Sequence, residues 1–167
     1  MNMLHELLAI KTFRTEKAEA AVGRQRATVS TAEAHKEASE QTLSRFIDSA
    51  LTHEQALYSD LCNRVVKLRD IEAVQQEIVI LRTLEHRHRD NLAKAEKAYL
   101  GELDMLRAVR AQHASAVRVK EKFVQLAGVY SQELAQEADR KEVAELEEIN
   151  ERRRERVDWS DGTGDDA

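Results

Sequence analysis

The sequence predicts an all-α fold, an antiparallel two-helix coiled-coil hairpin with a longer second helix. Three observations predict it. The first is missing punctuation: 167 residues hold no proline and only five glycines. At the usual frequency of about one in twenty, roughly eight prolines would be expected. Sheet proteins and α/β domains of this length need many Gly, Pro and Asn turns, so both are excluded. The second is composition. Charged residues make up 34% of the chain and aromatics 4%. That is too little bulk for a globular core, but enough for a stripe of Leu, Val, Ile and Ala along a helix seam. The third is periodicity, which runs in two long stretches separated by one short gap.

The first helix is expected over about residues 4–62. Alternating steps of three and four from Leu4 visit sixteen positions as far as Leu57, and ten are apolar. The stripe is alanine-rich and is interrupted by Gln25, Lys36 and Ser39. These polar layers bury little area and predict a marginal middle, a seam that flexes and exposes a face to partners.

The turn is expected over about residues 63–69. Both stripes fail only at Cys62-Asn63-Arg64-Val65-Val66-Lys67. Asn63 is the candidate C-terminal cap of the first helix. Asp70 falls in the first turn of the second, where the helix dipole favours a carboxylate. One uninterrupted helix is the alternative, since neither Gly nor Pro marks the turn.

The second helix is expected over about residues 70–156. The same steps from Ile71 visit nineteen positions as far as Leu134, and fourteen are apolar. Folding back at the gap makes facing residue numbers add to about 130. Leu57 then lies near Val74, Phe46 near Leu84 and Leu8 near Phe123, apolar against apolar. The second helix overshoots the N-terminus, and the seam decays there. Residues 1–156 thus form a single coiled-coil hairpin, and residues 157–167 are expected to be a disordered acidic tail. Trp159 in that tail reads as a stray exposed aromatic or as a docking residue for a partner.

Charge narrows the function classes. The net charge is −5. Residues 1–67 hold nine acidic and nine basic side chains, residues 68–135 ten and eleven, and residues 136–167 twelve and six. The imbalance lies wholly at the C-terminal end, and nucleic-acid binding is disfavoured. Arg152-Arg153-Arg154-Glu155-Arg156 is basic but flanked by carboxylates, so it reads as a solvated helix end. No run of eighteen apolar residues occurs, and Glu6 interrupts the short apolar patch at the N-terminus. Neither stable membrane insertion nor a signal peptide is expected. The lone Cys62 suits a reducing compartment and reads as a small helix-end residue.

Sites for chemistry are not expected. Glu85 and His88 form a Glu-x-x-His pair, but carboxylate-bridged metal bundles need two such pairs and four helices. A polar seam layer that sets register is the better reading. His86 and His88 are two residues apart and point in different directions on a helix. There is no nucleophile elbow, phosphate loop or cysteine cluster. The expectation is a protein that is not an enzyme and takes no cofactor or metal.

Several segments taken in order carry a family resemblance. They are Leu7-Leu8-x-Ile10-Lys11-x-x-Arg14-x-x-x-Ala18, Leu57-Tyr58-x-x-Leu61, Leu81-Arg82, Glu121-Lys122-Phe123-x-x-Leu126 and Glu145-Leu146-Glu147-Glu148. In this order and at this length, about residues 4–150 resemble the YscO/SctO proteins of type III secretion systems, the injectisome counterparts of flagellar FliJ. The resemblance implies a hairpin like the shaft of a rotary ATPase, acting as a central stalk at the cytoplasmic face of a bacterial secretion apparatus. Its implied partners are the secretion ATPase hexamer, the export gate protein and export chaperones. Leu4, Leu7, Leu8, Lys11, Arg14, Phe123, Tyr130 and Leu134 are the implied ATPase-end contacts. Ile78, Leu81, Leu84 and His88 are the implied export-gate contacts, although where relatives can carry an aromatic early in that segment this chain has aliphatics and Glu77. A chaperone-escort protein or generic coiled-coil adaptor without an ATPase partner is the alternative. A membrane-surface or nucleic-acid-binding helix ranks third, because the first 135 residues are nearly neutral.

Overall fold

The computed structural model describes residues 3–161 and consists of two helices joined by one turn. α1 spans Met3–Cys62 and α2 spans Leu68–Asp161. Both starts and the turn fall within two residues of the sequence expectation, the usual scatter of helix ends. α2 runs five residues past the expected end at Arg156, so Val157 to Asp161 are helical and not part of a disordered tail. Residues 162–167, the rest of that expected tail, lie outside the described residues.

The turn is closed by hydrogen bonds that the sequence only half revealed. Lys67 N–H donates to Asp70 Oδ2 at 2.9 Å, and Asp70 N–H donates back to Lys67 O at 3.0 Å. Asp70 therefore makes one half of a capping box: its carboxylate accepts from the Lys67 N–H at the helix start, while its own N–H goes to a backbone carbonyl, and it also has a favourable place on the helix dipole. Asn63 directly follows the last residue of α1, where the cap was expected, but not in left-handed backbone. No described non-glycine residue has positive φ. Instead Asn63 N–H makes one last helical bond to Ser59 O at 3.2 Å, and the chain leaves α1 through ordinary backbone.

The helices pair antiparallel, and the pairing is described in two compact units, Glu16–Ser115 and Met1–Thr15 with Ala116–Ala167. In the unit of residues 16–115, Val22, Val29 and Leu106 form a buried cluster with Tyr99, Leu103 and Val109 packed against it. Val74 and Ala95 complete its buried apolar set. In the other unit, Thr15 is buried; its hydroxyl donates to Lys11 O at 2.9 Å, with Ala116 O of α2 3.4 Å away. All six of these buried residues lie on the two stripes read from the sequence. Each helix face buries few atoms, so each buried Val or Leu, at about 1.5–3 kcal/mol, is a large share of the pairing energy.

The polar layers are better satisfied than the sequence suggests. Gln25 Nε2 donates to Glu102 O at 3.0 Å and also to the Glu102 carboxylate. Lys36 Nζ sits 4.9 Å from the centroid of the Tyr99 ring, and Lys11 Nζ sits 5.4 Å from that of Phe123. A cation over a ring face is attracted by the ring quadrupole, so these lysines contribute to the seam as well as interrupt it. Every buried side-chain N or O among the described residues has a partner.

Gly23, Gly101 and Gly128 lie inside helices with ordinary negative φ, and a Cβ added at each would meet nothing within 4 Å. Nothing in the packing requires glycine. Gly23→Ala and Gly101→Ala are each expected to stabilise the chain by about 0.5–1 kcal/mol, by removing freedom from the unfolded state. Urea unfolding followed by far-UV circular dichroism checks this, and the midpoints should rise.

Candidate protein-contact site

The eight expected ATPase-end residues all fall in the unit of residues 1–15 and 116–167. Lys11 meets Phe123 there directly. Leu4, Leu7, Leu8, Lys11 and Phe123 are half-buried, whereas Arg14, Tyr130 and Leu134 are exposed. The first group lines the helix pair; Arg14 faces outward, and Tyr130 and Leu134 keep the phase of the seam where α1 covers less of it. The outward face of α1 also carries Ile10 and Phe13, the latter 64% exposed. The seam frame passed over both. Met3, Ile10 and Phe13 recur at helical spacing on the side away from the seam, and that second stripe is the signal that would have found them. On α2, Val124, Leu126 and Val129 are likewise exposed apolar residues. From Gly128 to Ser160 every residue is exposed.

The four expected gate residues fall in the unit of residues 16–115, and the structure places each half-buried. His88 stacks on Phe46 of α1, with ring centroids 4.8 Å apart and planes inclined at 46°. Phe46 was expected near Leu84; its ring contact is one turn farther along α2. Beside these four, Val79 and Ile80 point outward, 63% and 58% exposed. They line an open groove on the outer face of α2 with Glu72, Gln75 and Gln76. Four consecutive apolar residues, Ile78 to Leu81, cover about 300° of a helix at 100° per residue, so one seam cannot bury them all. Nearer the turn, Tyr58, Val65 and Leu68 are further exposed apolar side chains.

Charged groups pair here both across the two helices and along α2. Arg82 Nη2 lies 3.3 Å from Glu54 Oε2 on α1, and Arg82 Nη1 lies 3.6 Å from Glu85 Oε2. Arg89 closes on the other oxygen of Glu85 at 2.7 Å. His53 Nε2 is 3.2 Å from Glu77 Oε2. Glu85 and His88 thus do different work, one taking two arginines and the other a phenyl ring. Among the described residues no group of three or more His, Cys, Asp or Glu side chains converges as metal ligands would. Cys62 is exposed beside the turn. No helix among the described residues is long and apolar enough to cross a membrane.

These features define an antiparallel helical hairpin whose apolar side chains are divided between a thin seam and several outward strips, a coiled-coil protein built to present faces. The described grooves are shallow and open and lie along single helix faces or the seam. The chain matches the family model of type III secretion protein YscO over residues 4–152, and it belongs to that family. It is also similar to the crystal structure at 2.8 Å of type III secretion protein YscO from Vibrio parahaemolyticus. The two share 28% identity with a TM-score of 0.76, over 89% of this chain and 92% of that one. No curated protein matches the chain. Family membership gives the chain a role in type III secretion.

Proposed function

We propose that this chain is the central stalk of a type III secretion export apparatus, at its cytoplasmic face, coupling the secretion ATPase hexamer to the export gate protein. Coupling would be mechanical, through protein contacts. The observation that carries the reading is the asymmetry of the helix pair: α2 continues from Gly128 to Ser160 with every residue exposed, while α1 begins at Met3. One helix can enter a ring farther than the other and touch the ring subunits unequally.

In this reading Arg14, Tyr130 and Leu134, with Ile10 and Phe13 beside them, meet the ATPase. Leu4, Leu7, Leu8, Lys11 and Phe123 hold the helices together behind them. Val79 and Ile80 offer the apolar contact to the gate, and Ile78, Leu81, Leu84 and His88 fix their position from the seam. Small exposed strips suit contacts that are remade at each turnover better than a deep apolar plug does. Export chaperones are further partners for the same exposed strips.

The test is co-purification with the hexameric ATPase and stimulation of ATP hydrolysis by added chain. Binding at about 10 μM of each, an ordinary range for transient contacts, is the expected result. Phe13→Ser together with Tyr130→Ser should weaken it at least tenfold. Absence of binding would overturn the stalk reading, and capture of an export chaperone without ATPase binding would favour the adaptor.

A further inference from the structure

The α2 segment beyond the paired seam carries an apolar stripe in a new frame. Alternating steps of three and four from Val143 pass through Leu146, Asn150, Arg153, Val157 and Ser160. This frame is out of step with the Ala127, Tyr130, Leu134 frame that α1 covers at its start. It therefore does not continue the intramolecular seam. Val143, Leu146 and Val157, with Ile149 on the flank, are 53–60% exposed. Apolar residues at heptad spacing on a helix with no neighbour are what a second helix would cover.

We propose that this stripe pairs with the same stripe of a second copy of the chain, antiparallel about a two-fold axis passing between residues 151 and 152. Charge complementarity selects this occupant and this direction. In that register Leu146 lies on Val157 of the second copy, and Asn150 lies on Arg153. Glu147 flanks the stripe beside Leu146, and Arg154 flanks it beside Arg153. The two-fold axis brings each Glu147 against the other copy's Arg154, giving two opposite-charge pairs from one. Neither residue has an ion pair within its own chain among the described residues, whereas the neighbouring Arg152 is already held by Glu148 at 2.6 Å. Parallel pairing would instead stack Arg153 on Arg153 inside the stripe and set Glu142 beside Glu147, both repulsive. The stripe is short, so the association is weak and depends on concentration.

Sedimentation equilibrium of the full chain, under reducing conditions that keep Cys62 from cross-linking, tests the proposal up to about 1 mM chain. The weight-average mass is expected to rise from 19.1 kDa toward twice that value. E147R and R154E each place like charges at both symmetric contacts, and each should weaken association about tenfold or more. The double variant E147R/R154E, and an equimolar mixture of the two single variants, restore opposite charges and should recover the dimer. All positions are exposed, so the thermal transition of each variant serves as a check on folding. A constant mass of 19.1 kDa over that range overturns the proposal. So does a dimer indifferent to the single substitutions, or a mixture that fails to recover it.

Discussion

Leu106→Ala is expected to destabilise the chain by about 2–3 kcal/mol, the largest loss available from one buried side chain. Leu106 is 7% exposed and packs with Val22 and Val29 of α1, at the centre of the buried cluster in the unit of residues 16–115. Large-to-small changes in globular cores cost about 2–5 kcal/mol, the spread reflecting how far the surroundings collapse into the space. A seam between two helices can close more readily than a core walled on all sides, which places the cost near the lower end. The fraction lost is still large, because this unit has only five buried apolar residues over which to spread its stability. Leu100→Ala, on a side chain 59% exposed, removes the same atoms from the same helix and should shift stability by no more than about 0.5 kcal/mol. Urea midpoints of the two variants, measured with unchanged slope, give the comparison. Equal losses would mean that the stripe read from the sequence is not the seam.

That stripe was legible because periodicity is a property of the pairing itself. Fifteen of the sixteen positions stepped from Leu4 are buried or half-buried, and sixteen of the nineteen stepped from Ile71. The exceptions have physical causes. At His53 the inward position passes to its neighbour Glu54, which pairs with Arg82. A helix of 3.6 residues per turn drifts about 20° per heptad against a strict 3.5-residue count, and His53 is seven heptads from the start. Tyr130 and Leu134 keep the phase of the stripe but lie where α1 starts, and they are left 38% and 48% exposed. Ile71 is the first step of its stripe, in the first turn of α2.

The contact faces were less legible. A seam frame selects what one helix shows to the other, and so it named Ile78, Leu81, Leu84 and His88 while passing over Val79 and Ile80. An outward contact leaves no periodic signature except apolar residues where a solvated face should be polar. Ile10 and Phe13 met that criterion, and so did the Ile78 to Leu81 run. Polar compensation is also invisible to a count of apolar residues. Gln25 and Lys36 weaken a stripe on paper, yet each finds its partner on α2, a carbonyl and carboxylate in one case and an aromatic ring in the other.

A proline placed in α1 and one placed in the unpaired part of α2 are expected to have very different effects, although both break a helix. Ala34 is exposed within the paired stretch of α1, and Ala138 is exposed within the extension of α2. Ala34→Pro removes the bond from residue 34 N–H to Ser30 O and drives the ring into that carbonyl, at a cost of about 3 kcal/mol or more. The seam on either side holds α1 against α2, so the helix cannot unwind locally without giving up buried contacts. The full penalty should therefore appear in the cooperative urea transition. Ala138→Pro makes the same backbone defect where no tertiary contact opposes unwinding. Its cost cannot exceed the free energy of opening that segment locally, which is small for an isolated helix of about thirty residues. The main transition should move by less than about 0.5 kcal/mol, while the helical dichroism falls. If the two prolines cost the same, the extension folds as one unit with the seam. If they differ as expected, Ala138→Pro separates stability from transmission. It leaves the hairpin intact, yet interrupts the helix that a stalk would need unkinked. Stimulation of the secretion ATPase by that variant then measures whether a continuous α2 matters to coupling: loss with retained binding supports mechanical transmission, and full stimulation removes it.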